Sequence, residues 1–148
     1  MLDVASGSGR NAMFLATHGW RVHAIDRNRD ALARLAAVSE TCQYRITTEC
    51  RDLETGTVTF GRRRYEAVIV FNYLHRPLMP AIVEAVADAG VLIYETFTRA
   101  QATRGRPRNP EYLLEEGELP VLVAPLRTVR SREGDIDGKF VASVVAMR

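Results

Sequence analysis

The chain has 148 residues, enough to bury one shared core but too few for a cofactor domain plus a separate substrate domain. Hydrophobic residues make up 47% and charged residues 26%, and the net charge is +2 with Lys139 as the single lysine, which excludes a disordered chain or a polybasic tail. No apolar run approaches the roughly 20 residues that cross a bilayer and no secretory-type leader opens the chain, so a cytoplasmic location is expected. Cys42, Cys50, His18, His23 and His75 show no metal-ligand spacing, and no metal site is expected.

The first apolar run, Leu2 to Ala5, predicts a short strand that enters the turn Ser6-Gly7-Ser8-Gly9 and then a helix over Asn11 to His18. A second strand is predicted from Val22 to Ile25, a helix from Asp30 to Val38, and a third strand from Tyr44 to Thr47. Leu53 to Tyr65, with Gly56, Gly61 and the run Arg62-Arg63-Arg64, has no helical period and reads as a loop where a crossover helix is missing. A fourth strand follows over Ala67 to Phe71. Ile82, Val83, Val86 and Ala87 repeat at helical spacing and predict a helix over Leu78 to Ala87, ahead of a fifth strand from Val91 to Tyr94.

Strand and helix alternate, so these five strands are expected to be buried and parallel, with helices on both faces of an open sheet. A long polar loop, Thr98 to Pro110, carries Arg99, Arg104, Arg106 and Arg108. The end of the chain predicts a strand from Leu126 to Arg132, a turn over Glu133 to Gly138 and a last strand from Phe140 to Met147, an antiparallel hairpin that brings the strand number to seven. One domain over residues 1–148 is expected.

Three strand ends carry chemistry. At Gly7 and Gly9 the absence of a Cβ lets a ligand approach the backbone, and the following helix start favours a carboxylate or phosphate. Asp26, at the end of the second strand, is suited to accept hydrogen bonds from both ribose hydroxyls, and Asp52, past the third, to accept one from an adenine amino group with Leu53 against the ring. A glycine turn alone is equally a simple βα connection; two further carboxylates at neighbouring strand ends favour a nucleoside site.

On these residues the chain resembles the class I S-adenosylmethionine-dependent methyltransferases, and is similar to the small tellurite-resistance methyltransferase group. Leu2-Asp3-Val4-Ala5-Ser6-Gly7-Ser8-Gly9 looks like the first motif of that family, with Ala5 where the pattern places its first glycine. The resemblance implies a Rossmann-like fold, S-adenosylmethionine as cofactor, and methyl transfer to an unidentified acceptor, expected to be a small molecule. It implies that Asp3 orients the methionine part, that Ala5, Ser6, Gly7, Gly9 and Asn11 line the loop, that Asp26 with Arg27 holds the ribose, and that Asp52 and Leu53 meet the adenine. It assigns Asn72, Tyr73 and His75, in the segment leaving the fourth strand, to the acceptor.

In-line displacement at an activated methyl needs alignment more than side-chain chemistry, so a general base is optional. His75 is the candidate base, since an imidazole is the side chain that ordinarily exchanges protons near neutrality, with a loop or capping histidine as the plainer alternative. Asn72 and Tyr73 are candidates for acceptor placement, or simply end the strand. Glu95, expected at the end of the fifth strand, is read as a substrate contact or a salt bridge, and the loop arginines as an anion site or as structural pairs.

Compared with that family, the chain begins directly on its first strand, and a truncated core of uncertain competence is expected. Two other readings stand beside methyl transfer. Gly7-Ser8-Gly9-Arg10-Asn11-Ala12 also fits the GxGxxA fingerprint of nicotinamide-dependent oxidoreductases, although Asp3 inside the strand, Asp52, the closing hairpin and the short chain speak against that reading. The other is a degenerate, non-catalytic adenosyl-binding module. Neither nucleic acid nor membrane is indicated as a partner, and the oligomeric state is not specified.

Overall fold

The computed structural model describes residues 1–148, and its contacts gather into two compact units, Met1–Val58 and Thr59–Arg148. Its seven strands form a mostly parallel sheet closed by an antiparallel C-terminal hairpin, the α/β class expected. No helix is long and apolar enough to cross a membrane.

In the first unit, β1 (Leu2–Val4), β2 (Val22–Asp26) and β3 (Ile46–Cys50) are parallel in the order β3-β2-β1, with Asp3 opposite Ala24 and Asp26 opposite Cys50. Helices α1 (Arg10–Thr17) and α2 (Arg29–Thr41) make the crossovers. Ala12, Val22, Ala24 and Leu35 form the buried cluster between helices and strands, with Met13, Leu15 and Ile46 packed against it. The small side chain of Ala12 lets α1 lie close to the sheet. The side chain of Asn28 caps α2 by accepting the Ala31 amide at 3.0 Å, which fixes where that helix starts.

The third strand corrects the expectation in both position and burial. Tyr44 lies past the end of α2 and is tied back to it, since its amide reaches the Ser39 carbonyl and its carbonyl accepts the Ser39 hydroxyl at 3.0 Å, while Gln43 turns through φ 56. Pairing therefore begins at Ile46, and no residue of β3 is fully buried. β3 has a neighbour on one side only, so Thr47 and Glu49 meet no demand for apolar side chains.

In the second unit, β4 (Tyr65–Phe71), β5 (Val86–Phe97), β6 (Arg127–Ile136) and β7 (Lys139–Met147) take the order β4-β5-β7-β6. β4 and β5 are parallel, and β7 is antiparallel to both β5 and β6. Helix α3 (Met79–Ala85) follows a short 3-10 turn over Arg76–Leu78, and α4 (Glu118–Leu122) precedes β6. Val68, Val70, Leu92, Tyr94, Val144 and Ala146 are buried on the strands, with Ile82, Leu114 and Leu119 among the covering segments. Residues 51–64 carry no helix or strand, so the loop expected over Leu53 to Tyr65 ends one residue early, where Tyr65 opens β4 by pairing with Val86.

The helix predicted to reach Ala87 stops at Ala85, because Val86 already pairs with Tyr65. Residues between that pair and Ala67–Val91 bulge out through Ala89 at φ 59. At Gly90 a Cβ would lie 2.8 Å from the Ala87 carbonyl oxygen and 3.0 Å from that of Glu66, so the bulge requires glycine. Strand β5 also runs past Tyr94, which places Glu95 inside the strand rather than at its end. The hairpin turn is shorter than expected: only Asp137 and Gly138 turn, at φ 50 and 79, the left-handed pair that matches the twist of the strands.

Candidate functional site

The first unit holds all of the expected cofactor residues. Leaving β1, Ala5 takes φ 55, a left-handed backbone at the position where the motif has its first glycine. The Ser6 amide then bonds the Ile25 carbonyl at 3.0 Å, and the Gly7 amide bonds Asp26 Oδ2 at 2.7 Å. Asp26 Oδ1 accepts the Asn28 amide at 2.8 Å, and its backbone carbonyl accepts the Arg51 amide at 2.9 Å. One aspartate thus ties together the turns that follow β1, β2 and β3.

The two loop glycines serve different ends. A Cβ on Gly9 would lie 2.5 Å from Leu35 Cδ2, so Gly9 is small because α2 packs on it. A Cβ on Gly7 would meet nothing within 4 Å. Gly7 therefore borders open space, where a bare backbone admits a ligand.

Asp3 is 2% exposed on β1, and its Oδ2 has no hydrogen-bond partner; the Ser6 hydroxyl is likewise buried without one. Burial pushes the Asp3 carboxyl up to about 7, the Ala12 amide opposes that rise, and the neighbouring Asp26 charge adds to it. Unsatisfied buried oxygens are costly, and a ligand ammonium or hydroxyl would relieve both. Asn11 stands half-buried in the first turn of α1, and Arg27 is exposed beside Asp26. Asp52 lies just past β3, exposed, with Oδ1 accepting the Glu54 amide at 2.9 Å, while Leu53 is buried.

The second unit holds the remaining candidates. Asn72 is exposed at φ 55, its amide bonded to the Glu95 carbonyl at 2.9 Å. The Tyr73 carbonyl accepts the hydroxyl of fully buried Tyr94 at 2.9 Å. His75 is half-buried, and its carbonyl accepts the Leu78 amide, which starts the 3-10 turn. Glu95 makes the salt bridge that was its plainer alternative, at 3.1 Å from Arg132 Nη2. Arg99 pairs with Glu115, and Arg104 with Asp135 while stacking over Phe140, so these two loop arginines are structural; Arg106 and Arg108 are exposed.

Sequence reading missed three contributors. Asn28 was legible, since an Asp-x-Asn step before a helix is a turn-and-cap pattern. Arg76 and Tyr94 left no local signal, because their partners lie far along the chain.

The family model described as "Tellurite resistance protein TehB" matches residues 1–110, a stretch that contains every candidate named for the cofactor or the acceptor. The chain belongs to the TehB family. A relative of that family from Haemophilus influenzae (strain 10810), a "Probable S-adenosyl-L-methionine-dependent methyltransferase TehB", is 27% identical over 108 residues, 72% of this chain. The chain spans 38% of that relative's length.

Solved structures share the fold. TehB from Haemophilus influenzae superposes with a TM-score of 0.76 at 18% identity over 99% of this chain and 57% of its own. An S-adenosylmethionine-dependent methyltransferase from Mesorhizobium loti gives 0.81 at 15% identity over 99% and 89%. The [4+2]-cyclase SpnF gives 0.79 at 13% identity over 99% and 73%, so within this Rossmann-like architecture the fold does not choose the reaction.

Proposed function

We propose that this TehB-family chain binds S-adenosylmethionine and transfers its methyl group to a small-molecule acceptor. The observation that carries the reading is the cluster in the first unit: an unpartnered, buried Asp3 oxygen and Ser6 hydroxyl, an open Gly7, and Asp26 braced against the loop. The cofactor supplies a methyl already activated by its sulfonium. Asp3 and Ser6 offer acceptors to the ammonium end, and Ala5, Gly7, Gly9 and Asn11 leave the loop backbone free to the methionine part.

Asp26 keeps capacity for a ribose. A carboxylate has about four lone-pair sites, and the Gly7 and Asn28 amides use two. Arg27 flanks it, and Asp52 with Leu53 is assigned to the adenine. Asn72, Tyr73 and His75 are assigned to the acceptor: the amide and the phenol orient it, and His75 takes a proton where the acceptor carries one. The family description makes tellurite the first acceptor to try.

Calorimetric titration with S-adenosylmethionine, S-adenosylhomocysteine and NADH tests the reading, with Asp26→Asn as control. Binding of the adenosyl ligands that weakens in the variant, together with labelled-methyl transfer to an acceptor, is the expected result. Preference for NADH would replace it with a nicotinamide-dependent reaction. Adenosyl binding with no transfer to any acceptor would leave a binding module.

A further inference from the structure

We propose that Tyr94 and Arg76 are positioning residues, which clamp the Asn72–His75 segment from its two ends and hold it in the shape that receives the acceptor. This role rests on the methyl-transfer reading above. Neither residue touches the reacting atoms in this account.

At the first end, the segment leaves β4 through Asn72 in a left-handed backbone that an L side chain adopts reluctantly. Two consecutive residues of β5 hold it there: the Glu95 carbonyl takes the Asn72 amide and the Tyr94 hydroxyl reaches the Tyr73 carbonyl, each at 2.9 Å. Tyr94 is fully buried, which raises its pKa, so its hydroxyl stays a neutral donor across the assay range. A phenylalanine there would leave the ring packed and the Tyr73 carbonyl without this donor.

At the second end, Arg76 follows His75 directly. Its Nε and Nη2 bond Glu118 Oε1 and Oε2 at 2.6 and 2.8 Å, a bidentate pair. Its Nη1 also reaches the Glu111 carbonyl at 3.0 Å, and its Nη2 the Leu113 carbonyl at 2.9 Å. Glu118 is held in turn by the Glu115 amide at 2.7 Å. One planar guanidinium thus joins the base of the His75 turn to three points on residues 111–118. A lysine keeps the charge but not this fork.

Nothing in a structural brace requires it to stand on either side of the candidate acceptor residues, and a brace with no functional role would alter stability alone. The test is therefore a comparison of Tyr94→Phe and Arg76→Lys with the wild-type chain in three measurements. These are amide hydrogen exchange over residues 72–78, the Kd for S-adenosylmethionine, and kcat and KM for labelled-methyl transfer to tellurite.

The expected result is exchange over 72–78 faster by about tenfold, cofactor Kd within about twofold, and kcat/KM for tellurite lower by about tenfold or more. Unchanged exchange in both variants would overturn the clamp. Faster exchange with unaltered tellurite kinetics would reduce it to a structural brace and overturn the positioning role. Wild-type protein that is folded but binds no S-adenosylmethionine defeats the underlying reading, whereas protein that binds it and transfers nothing to tellurite overturns the positioning role for that acceptor alone; in both cases the exchange data still report whether the clamp exists.

Discussion

Asp26 Oδ2 accepts the amide of Gly7 at 2.7 Å, so the carboxylate assigned to the cofactor ribose is also the strut of the loop assigned to its methionine part. Affinity and loop shape are coupled through one side chain. Asp26→Ala should remove both the strut and the ribose acceptor, weakening S-adenosylmethionine binding by about 2–4 kcal/mol, from a charge-assisted hydrogen bond to each partner. Asp26→Asn retains one acceptor oxygen and should lose about half as much. Calorimetry on both variants, with thermal denaturation to confirm folding, checks the order.

Asp3 makes stability depend on pH. Its carboxyl rises from 3.8 in the unfolded chain to about 7 when folded. Between those values the folded protein holds a proton that the unfolded chain has released, so this contribution is fully present below pH 4 and is lost as the pH climbs through about 7. The whole span amounts to roughly 4 kcal/mol as an order of magnitude. Asp3→Asn should flatten that part of the profile and leave the variant more stable than wild type at pH 8, with little difference at pH 4; urea denaturation at several pH values measures it.

Binding of a ligand ammonium beside Asp3 favours the ionised carboxylate and should expel a proton near pH 6.5. Titrations in buffers of different ionisation enthalpy read that release directly. Asp3→Asn should abolish it. Equal apparent enthalpies in all buffers for the wild-type chain would remove Asp3 from the ammonium site.

Ala5 stands at φ 55, where its methyl group crowds the backbone and glycine would not. Ala5→Gly should raise stability by about 0.5–1 kcal/mol, the relief of strain exceeding the extra freedom of the unfolded chain. A higher urea midpoint with an unchanged slope is the expected signature.

Gly7 and Gly9 should separate packing from binding. Gly9→Ala drives a Cβ into the buried Leu35 side chain at 2.5 Å and adds strain at φ 78, so stability should fall by about 2–4 kcal/mol. Gly7→Ala meets no protein atom and should cost only the strain of φ 56, about 1 kcal/mol. Its added methyl enters the open space, so its larger effect should be on cofactor affinity. Parallel stability and calorimetric measurements on the two variants make the comparison.

The residues that the sequence already marked were those whose chemistry is local. Asp3, Gly7 and Gly9 sit within one strand-turn-helix step, where apolar spacing and glycine conformation are set by near neighbours, and Asp26 and Asp52 follow strands recognisable from their own runs. The alternation of strands and helices and the closing hairpin were legible for the same reason. The ends of elements were not, because each depends on a partner elsewhere. Val86 continues a helical period yet joins the sheet by pairing with Tyr65, and Tyr44 looks like strand yet closes α2 through Ser39.

By itself, then, the sequence determined the fold class and the kinds of side chain gathered at the first three strand ends, since periodicity and turn chemistry act over a few residues. Only the tertiary structure decided that Asp26 braces Gly7, that Glu95 is spent on Arg132, and that Tyr94 and Arg76 hold the segment after β4. Those are hydrogen bonds between residues 19 to 42 positions apart. No local preference encodes them, because each exists only once folding has brought its two ends together.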